Sequence, residues 1–179
     1  MISIKKISSL LLISQKEGII IGKLEDCLFN RETRVVEGWL LKKGGIFSSL
    51  GGINASSIVL CGKDVVLIDS IDSIKWDTKR VSHKKSTWSS LYQGKKLIHR
   101  DGKSFACVED LHLSSDVKMV IGLQIEDDRV IKLNEYISLS SDGGILPRKY
   151  EMISIASESS DGFWSKFWDF IGGDDDSET

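Results

Sequence analysis

The chain has little excess of either charge: 24 Lys and Arg face 26 Asp and Glu in 179 residues, a formal −2. That balance gives no electrostatic reason to expect a polyanion partner, so nucleic-acid binding is not expected. Cysteine is scarce, and Cys27, Cys61 and Cys107 lie far apart, forming neither a CxxC pair nor an even disulfide framework. They read as reduced core residues. No apolar stretch approaches the roughly 18 residues that a spanning helix needs. The run from Leu10 to Ile13 follows a basic pair but is too short for a signal peptide and lacks a small-residue cleavage site. The expected location is therefore the cytoplasm. No window before the C-terminal tail holds the period of a long helix. A hydrophobic fraction of 41% and a charged fraction of 28% are those of a globular protein.

What the sequence does contain is a repeat. An offset of 84 residues relates Glu25-Asp26 to Glu109-Asp110, Gly38 to Gly122, and Glu17-Gly18 to Asp101-Gly102. An ungapped match that keeps carboxylates, turn glycines and apolar positions together marks a duplication. In each copy the acidic residue–Gly pair sits between apolar runs, which predicts a hairpin, because glycine supplies the positive φ of a tight turn. Alternating and β-branched segments follow: 24–29 and 35–41 in the first copy, 108–113 and 119–125 in the second. The copies diverge at 42–52, a glycine- and serine-rich loop that the second copy shortens to 126–128. The segment 77–87 is polar and basic without apolar periodicity, and reads as a linker. A barrel of about seventy residues has a thin core, so the copies are expected to pack as a pseudo-symmetric pair.

Catalytic patterns are missing. His83, His99 and His112 stand at unrelated places with no second ligand at metal spacing. The serines and cysteines lack a GxSxG elbow or a base partner. Lys42-Lys43-Gly44-Gly45 leaves a strand and lacks the Walker spacing of a phosphate loop. Neighbouring residues on a strand face opposite ways, so the members of Glu25-Asp26 or Glu109-Asp110 cannot readily share a proton. Their recurrence suggests a structural task such as bonding loop amides. No catalytic residue, metal site or cofactor is expected, and the chain reads as a non-enzyme.

The segments 22–29, 35–42, 44–47 and 62–68, with Gly22-Lys23-Leu24-Glu25-Asp26 and Val36-Glu37-Gly38-Trp39 at their centre, resemble the PRC-barrel family. The second copy is similar through 101–105 and 108–111, with Ala106-Cys107 where the first has Gly22-Lys23. The resemblance implies small, partly open six-stranded barrels, as in the H subunit of photosynthetic reaction centres and in a ribosome-maturation factor. Those relatives dock to other macromolecules and share no catalytic residues. The expected fold is thus all-β: two tandem small PRC-type barrels, 1–76 and 88–152, joined by the linker 77–87 and followed by a tail, 153–179.

In that tail Phe163, Trp164, Phe167, Trp168 and Ile171 keep the spacing of one helical face, between Asp161 as N-cap and Gly172 as stop. The spacing predicts an amphipathic helix over about 162–171, too short to stand alone in water. It needs a surface: the chain's own barrels, a protein groove, or a membrane interface. The expected function is an adaptor or assembly protein with an unidentified protein partner. One alternative is a scaffold held peripherally at the inner membrane face by this helix. Another is a ribosome- or RNA-associated factor using Lys79, Arg80, Lys84 and Lys85 as polyanion contacts.

Overall fold

A computed structural model describes residues 1–42, 50–76, 84–126 and 128–155, with only the backbone given at Lys42, Leu50 and Trp76. The predicted C-terminal helix lies outside the described residues. The architecture is mostly β. In the first copy β1 (Ile2–Ser3) leads into α1 (Ile4–Ser9), followed by β2 (Leu11–Ser14), β3 (Ile19–Asn30), β4 (Val36–Lys42) and β5 (Leu50–Asn54). Then come β6 (Ile58–Cys61), β7 (Val65–Ile68) and β8 (Lys75–Trp76). The second copy repeats this order as β9 (Ser86–Trp88), α2 (Ser89–Tyr92), β10 (Lys96–His99), β11 (Ser104–Cys107) and β12 (Asp110–Leu113). It ends with β13 (Val120–Ile125), β14 (Arg129–Lys132), β15 (Ser138–Leu139), β16 (Gly143–Leu146) and β17 (Met152–Ser154).

The pairing register repeats residue for residue. Cys27 faces Trp39 and Leu28 faces Gly38; 84 residues on, Leu111 faces Leu123 and His112 faces Gly122. Both ladders shift register at the same step, Leu28 to Phe29 and His112 to Leu113. The repeated glycine has a steric reason. A Cβ on Gly38 would stand 2.8 Å from the Ile53 carbonyl oxygen, and one on Gly122 would stand 2.6 Å from Val130 Cγ1. The long β3 does the work that β11 and β12 share in the second copy, so one sheet runs β6-β7-β2-β3-β4-β5-β8. The second copy divides into β11-β10-β16-β15 and β12-β13-β14-β17. Among the described residues these ladders run as open sheets.

The copies exchange their first strands. β1 pairs with β12, while β9 pairs with β3. Ser86 and Thr87, which sequence pattern alone assigns to the linker, are therefore strand residues, made so by an edge of the other copy. A second exchange is reciprocal: Val36 N–H donates to the Lys118 carbonyl (2.8 Å), and Val120 N–H donates to the Arg34 carbonyl (2.9 Å). Subtracting the repeat turns each bond into the other. Arg34 adds a cross-copy tie by donating to the Asn134 and Ile137 carbonyls, and burial lowers the pKa of its guanidinium. The buried apolar residues of both copies merge into one cluster, from Ile4 and Leu12 through Trp39 to Leu123 and Leu146.

α1 is a short helix that periodicity did not reveal. Ser3 Oγ accepts from Lys6 N–H at 3.1 Å as its N-cap, and Ile4 and Ile7 are its buried face. Six residues are too few for a period to register.

Candidate functional site

Three places in the fold bring polar or exposed apolar side chains together. The first is where the copies meet. Asp26, 1% exposed, accepts from Ser90 N–H (3.1 Å), Cys27 N–H (2.9 Å) and the hydroxyls of Ser89 and Ser90 (both 2.5 Å). Asp110, also 1% exposed, accepts from Lys5 N–H (3.1 Å) and Leu111 N–H (2.8 Å). Each repeated aspartate thus bonds an amide in the first turn of the other copy's helix. The partner helices begin one residue out of step, since Lys5 and Ser90 differ by 85 rather than 84.

A groove of about 440 Å³ opens beside this junction, lined by Lys5, Ser8, Glu25, Asp26, Ser90 and Gln93 among others. Its chemistry is that of a lock. Asp26 receives four hydrogen bonds, which engages the lone pairs a general base would use. The pKa of the nearby Cys27 thiol is raised well above its usual range, first by burial and then by the Asp26 carboxylate, which disfavours the thiolate. No group of three His, Cys, Asp or Glu side chains suited to a metal ion occurs among the described residues.

The second place is the open face of the sheet β6-β7-β2-β3. Leu60 pairs with Leu67, Leu67 with Ile13, and Ile13 with Ile20, which lines four apolar side chains across four strands. Leu60 is 53% exposed and Ile20 63%. Leu11 and Val65 form a parallel row two residues away. The opposite face carries the buried Leu12, Val66 and Ile68. In the second copy the same row reads Ser138, Ile145, Ile98 and Ser104, and the second row reads Lys96 and Gly143. One copy keeps an apolar outer face; the other ends it in hydroxyls.

The third place is the end of the β10–β11 hairpin, where a cavity of about 460 Å³ is lined by His99, Arg100, Asp101 and Arg148. His99 packs edge-on against Phe105 at 5.1 Å between centroids and tilts over Tyr150 at 5.7 Å.

The residues singled out from sequence fare differently. Phe163, Trp164, Phe167, Trp168, Ile171, Lys79 and Arg80 lie outside the described residues. Lys84 is exposed, and its carbonyl accepts from Arg31. Lys85 Nζ stands 2.9 Å from the Glu32 carboxylate, an exposed pair. His112 Nε2 lies 3.0 Å from Gln124 Oε1 inside the sheet. Sequence reasoning missed the apolar row and the arginine-lined cavity, since both depend on which strands pair.

No helix among the described residues is long and apolar enough to cross a membrane. Fold and sites together define a duplicated, strand-exchanged β protein. No protein-family model and no curated protein matches the chain. The likeness to PRC barrels therefore rests on the residues that carry it.

Proposed function

We propose that the chain is a non-catalytic adaptor of tandem PRC-barrel type, whose first copy docks another protein on its open sheet face. The observation that carries this reading is the row Leu60, Leu67, Ile13, Ile20, set against its serine-ended counterpart in the second copy. A solvent-facing strand normally alternates to polar residues, so a row apolar across all four strands in one copy alone points to a covered surface. Four strands about 4.8 Å apart make a strip of about 14 Å, the scale of one helix of about 10 Å diameter. That strip falls short of the roughly 800 Å² that each subunit contributes to a stable dimer. The occupant that fits is the apolar face of a single amphipathic helix from a partner protein.

The aromatic tail favours a second reading. Phe163, Trp164, Phe167, Trp168 and Ile171 would tether the adaptor to a partner or to the inner membrane face, with the body of the protein in the cytoplasm. The RNA alternative is weaker, because Lys85 is already paired with Glu32.

The test compares the full-length chain with I20S/L60S, which gives the first copy the second copy's serine-ended row. Both residues are more than half exposed, so unfolding shifts by less than about 1 kcal/mol. The expected result is a protein captured by the wild type and lost by the variant. Identical capture by both refutes docking on this face. Binding to anionic vesicles that disappears on truncation after Ser160 moves the function to the tail. A salt-sensitive RNA complex weakened by neutralising Lys79, Arg80, Lys84 and Lys85 moves it to the basic segment.

A further inference from the structure

The two copies differ at one corner in which side chains occupy it. In the first copy β2 runs parallel to β7 with Ser14 opposite Ile68, and Gln15 N–H donates to the Ile68 carbonyl at 2.8 Å. In the second, β10 runs parallel to β16 with His99 opposite Leu146, and Arg100 N–H donates to the Leu146 carbonyl at 3.2 Å. Ser14 therefore corresponds to His99, Gln15 to Arg100, and Ser70 to Arg148. The hairpins close through Gly18 N–H to the Ser14 carbonyl (3.0 Å) and Gly102 N–H to the His99 carbonyl (2.8 Å). Glu17 and Asp101, each just before the glycine, are thus equivalent, on turns that differ by one residue.

In the first copy a carboxylate fills the corner. Glu17 accepts from Ser14 Oγ, from Ser70 Oγ at 2.9 Å and from Ile71 N–H at 3.2 Å. In the second copy the side chain is one carbon shorter and the turn tighter, so Asp101 instead accepts from Lys103 N–H at 3.0 Å within its own turn. The corner is left open, with His99, Arg100, Asp101 and Arg148 on its walls. Neither guanidinium has a hydrogen bond or ion pair among the described residues.

We propose that this corner binds an external carboxylate in the place that Glu17 occupies in the first copy, with Arg100 and Arg148 as its donors. Guanidinium forks match a carboxylate's two oxygens. The cavity of about 460 Å³ has the size of a small-molecule site. The ring cluster of His99, Phe105 and Tyr150 supplies an apolar flank that strengthens charge-assisted bonds beside it. Guanidinium forks also match phosphate; what favours a carboxylate is that the first copy holds one, Glu17, at the equivalent position. The ligand's source is a free carboxylic acid or an acidic side chain of a peptide, and the corner is independent of the apolar face.

The test is calorimetric titration of the full chain at low ionic strength with succinate, with a blocked tri-aspartate peptide and with inorganic phosphate. Saturable binding of at least one carboxylate probe, tighter than phosphate, is expected. The R100Q/R148Q pair should weaken it about tenfold or more. K103Q/K149Q, which removes equal charge nearby without lining the cavity, should leave it nearly unchanged. Tighter binding of the peptide than of succinate assigns the source to an acidic segment, and the reverse to a small acid; either order supports the site. No saturation by either carboxylate, tighter binding of phosphate, or equal weakening by the lysine pair overturns it. Both arginines are exposed, so the variants keep the fold, which circular dichroism checks.

Discussion

Replacing Asp26 by alanine should destabilise the whole protein, because that carboxylate joins one copy's sheet to the other copy's helix. Its bonds to Cys27 N–H, Ser90 N–H and the hydroxyls of Ser89 and Ser90 are made almost out of solvent. A lost cap costs about 0.5–2 kcal/mol, and a hydrogen bond to a charged group about 1.5–3 kcal/mol. Ser90 is exposed and its hydroxyl can turn to water, whereas the amides cannot move. Counting one cap and one further charged bond as lost, D26A costs about 2–5 kcal/mol. Asp110 makes the corresponding bonds to Lys5 and Leu111 without the two serine hydroxyls, so D110A costs about 1–2 kcal/mol. Urea unfolding measures both, and with a slope of about 2 kcal/mol/M the D26A midpoint falls by about 1–2.5 M. The reasoning fails if D26A stays within about 0.5 kcal/mol of wild type, or if D110A costs more than D26A.

Gly143 has φ +146°, and a Cβ there would stand 2.0 Å from the Lys96 carbonyl oxygen, inside the parallel β10–β16 pair. G143A should cost about 2–4 kcal/mol in thermal unfolding. G102A, also at positive φ but with no atom within 4 Å, should cost only about 1 kcal/mol. Equal costs would show that close approach is not the cause. Glu17 tests linkage: its hydrogen bonds, led by that from Ser14, hold its pKa below the ordinary value. Its stabilisation is therefore complete above the unfolded pKa of about 4.3 and is lost as pH falls through the folded value. The stability gap between wild type and E17Q should close on acidification, and a gap independent of pH refutes the assignment.

Much of the molecule was legible locally. The 84-residue offset anticipated a register that repeats through the β3–β4 and β12–β13 ladders. The recurrence of Asp26 and Asp110 pointed to amide bonding. That those amides belong to the other copy was not legible, because it follows from β1 and β9 changing places across a long span of chain. Ser86 and Thr87 looked like linker for the same reason: polar residues become a strand only when an edge is offered to them. The strand-rich character that the family resemblance implied is present, while the order in which the strands pair depends on edges that alternation cannot place.

The sequence by itself determined the duplication, the strand-rich character, the turn glycines and the lack of metal or nucleophile spacing, since each is a pattern of neighbours along the chain. Only the tertiary structure decided which apolar residues stay outside and which side chains meet at each corner. Leu60, Leu67, Ile13 and Ile20 become one row through ladders between distant strands. His99, Arg100 and Arg148 become one cavity because β10 runs parallel to β16. Parallel pairing joins residues far apart in the chain, and no local period records it.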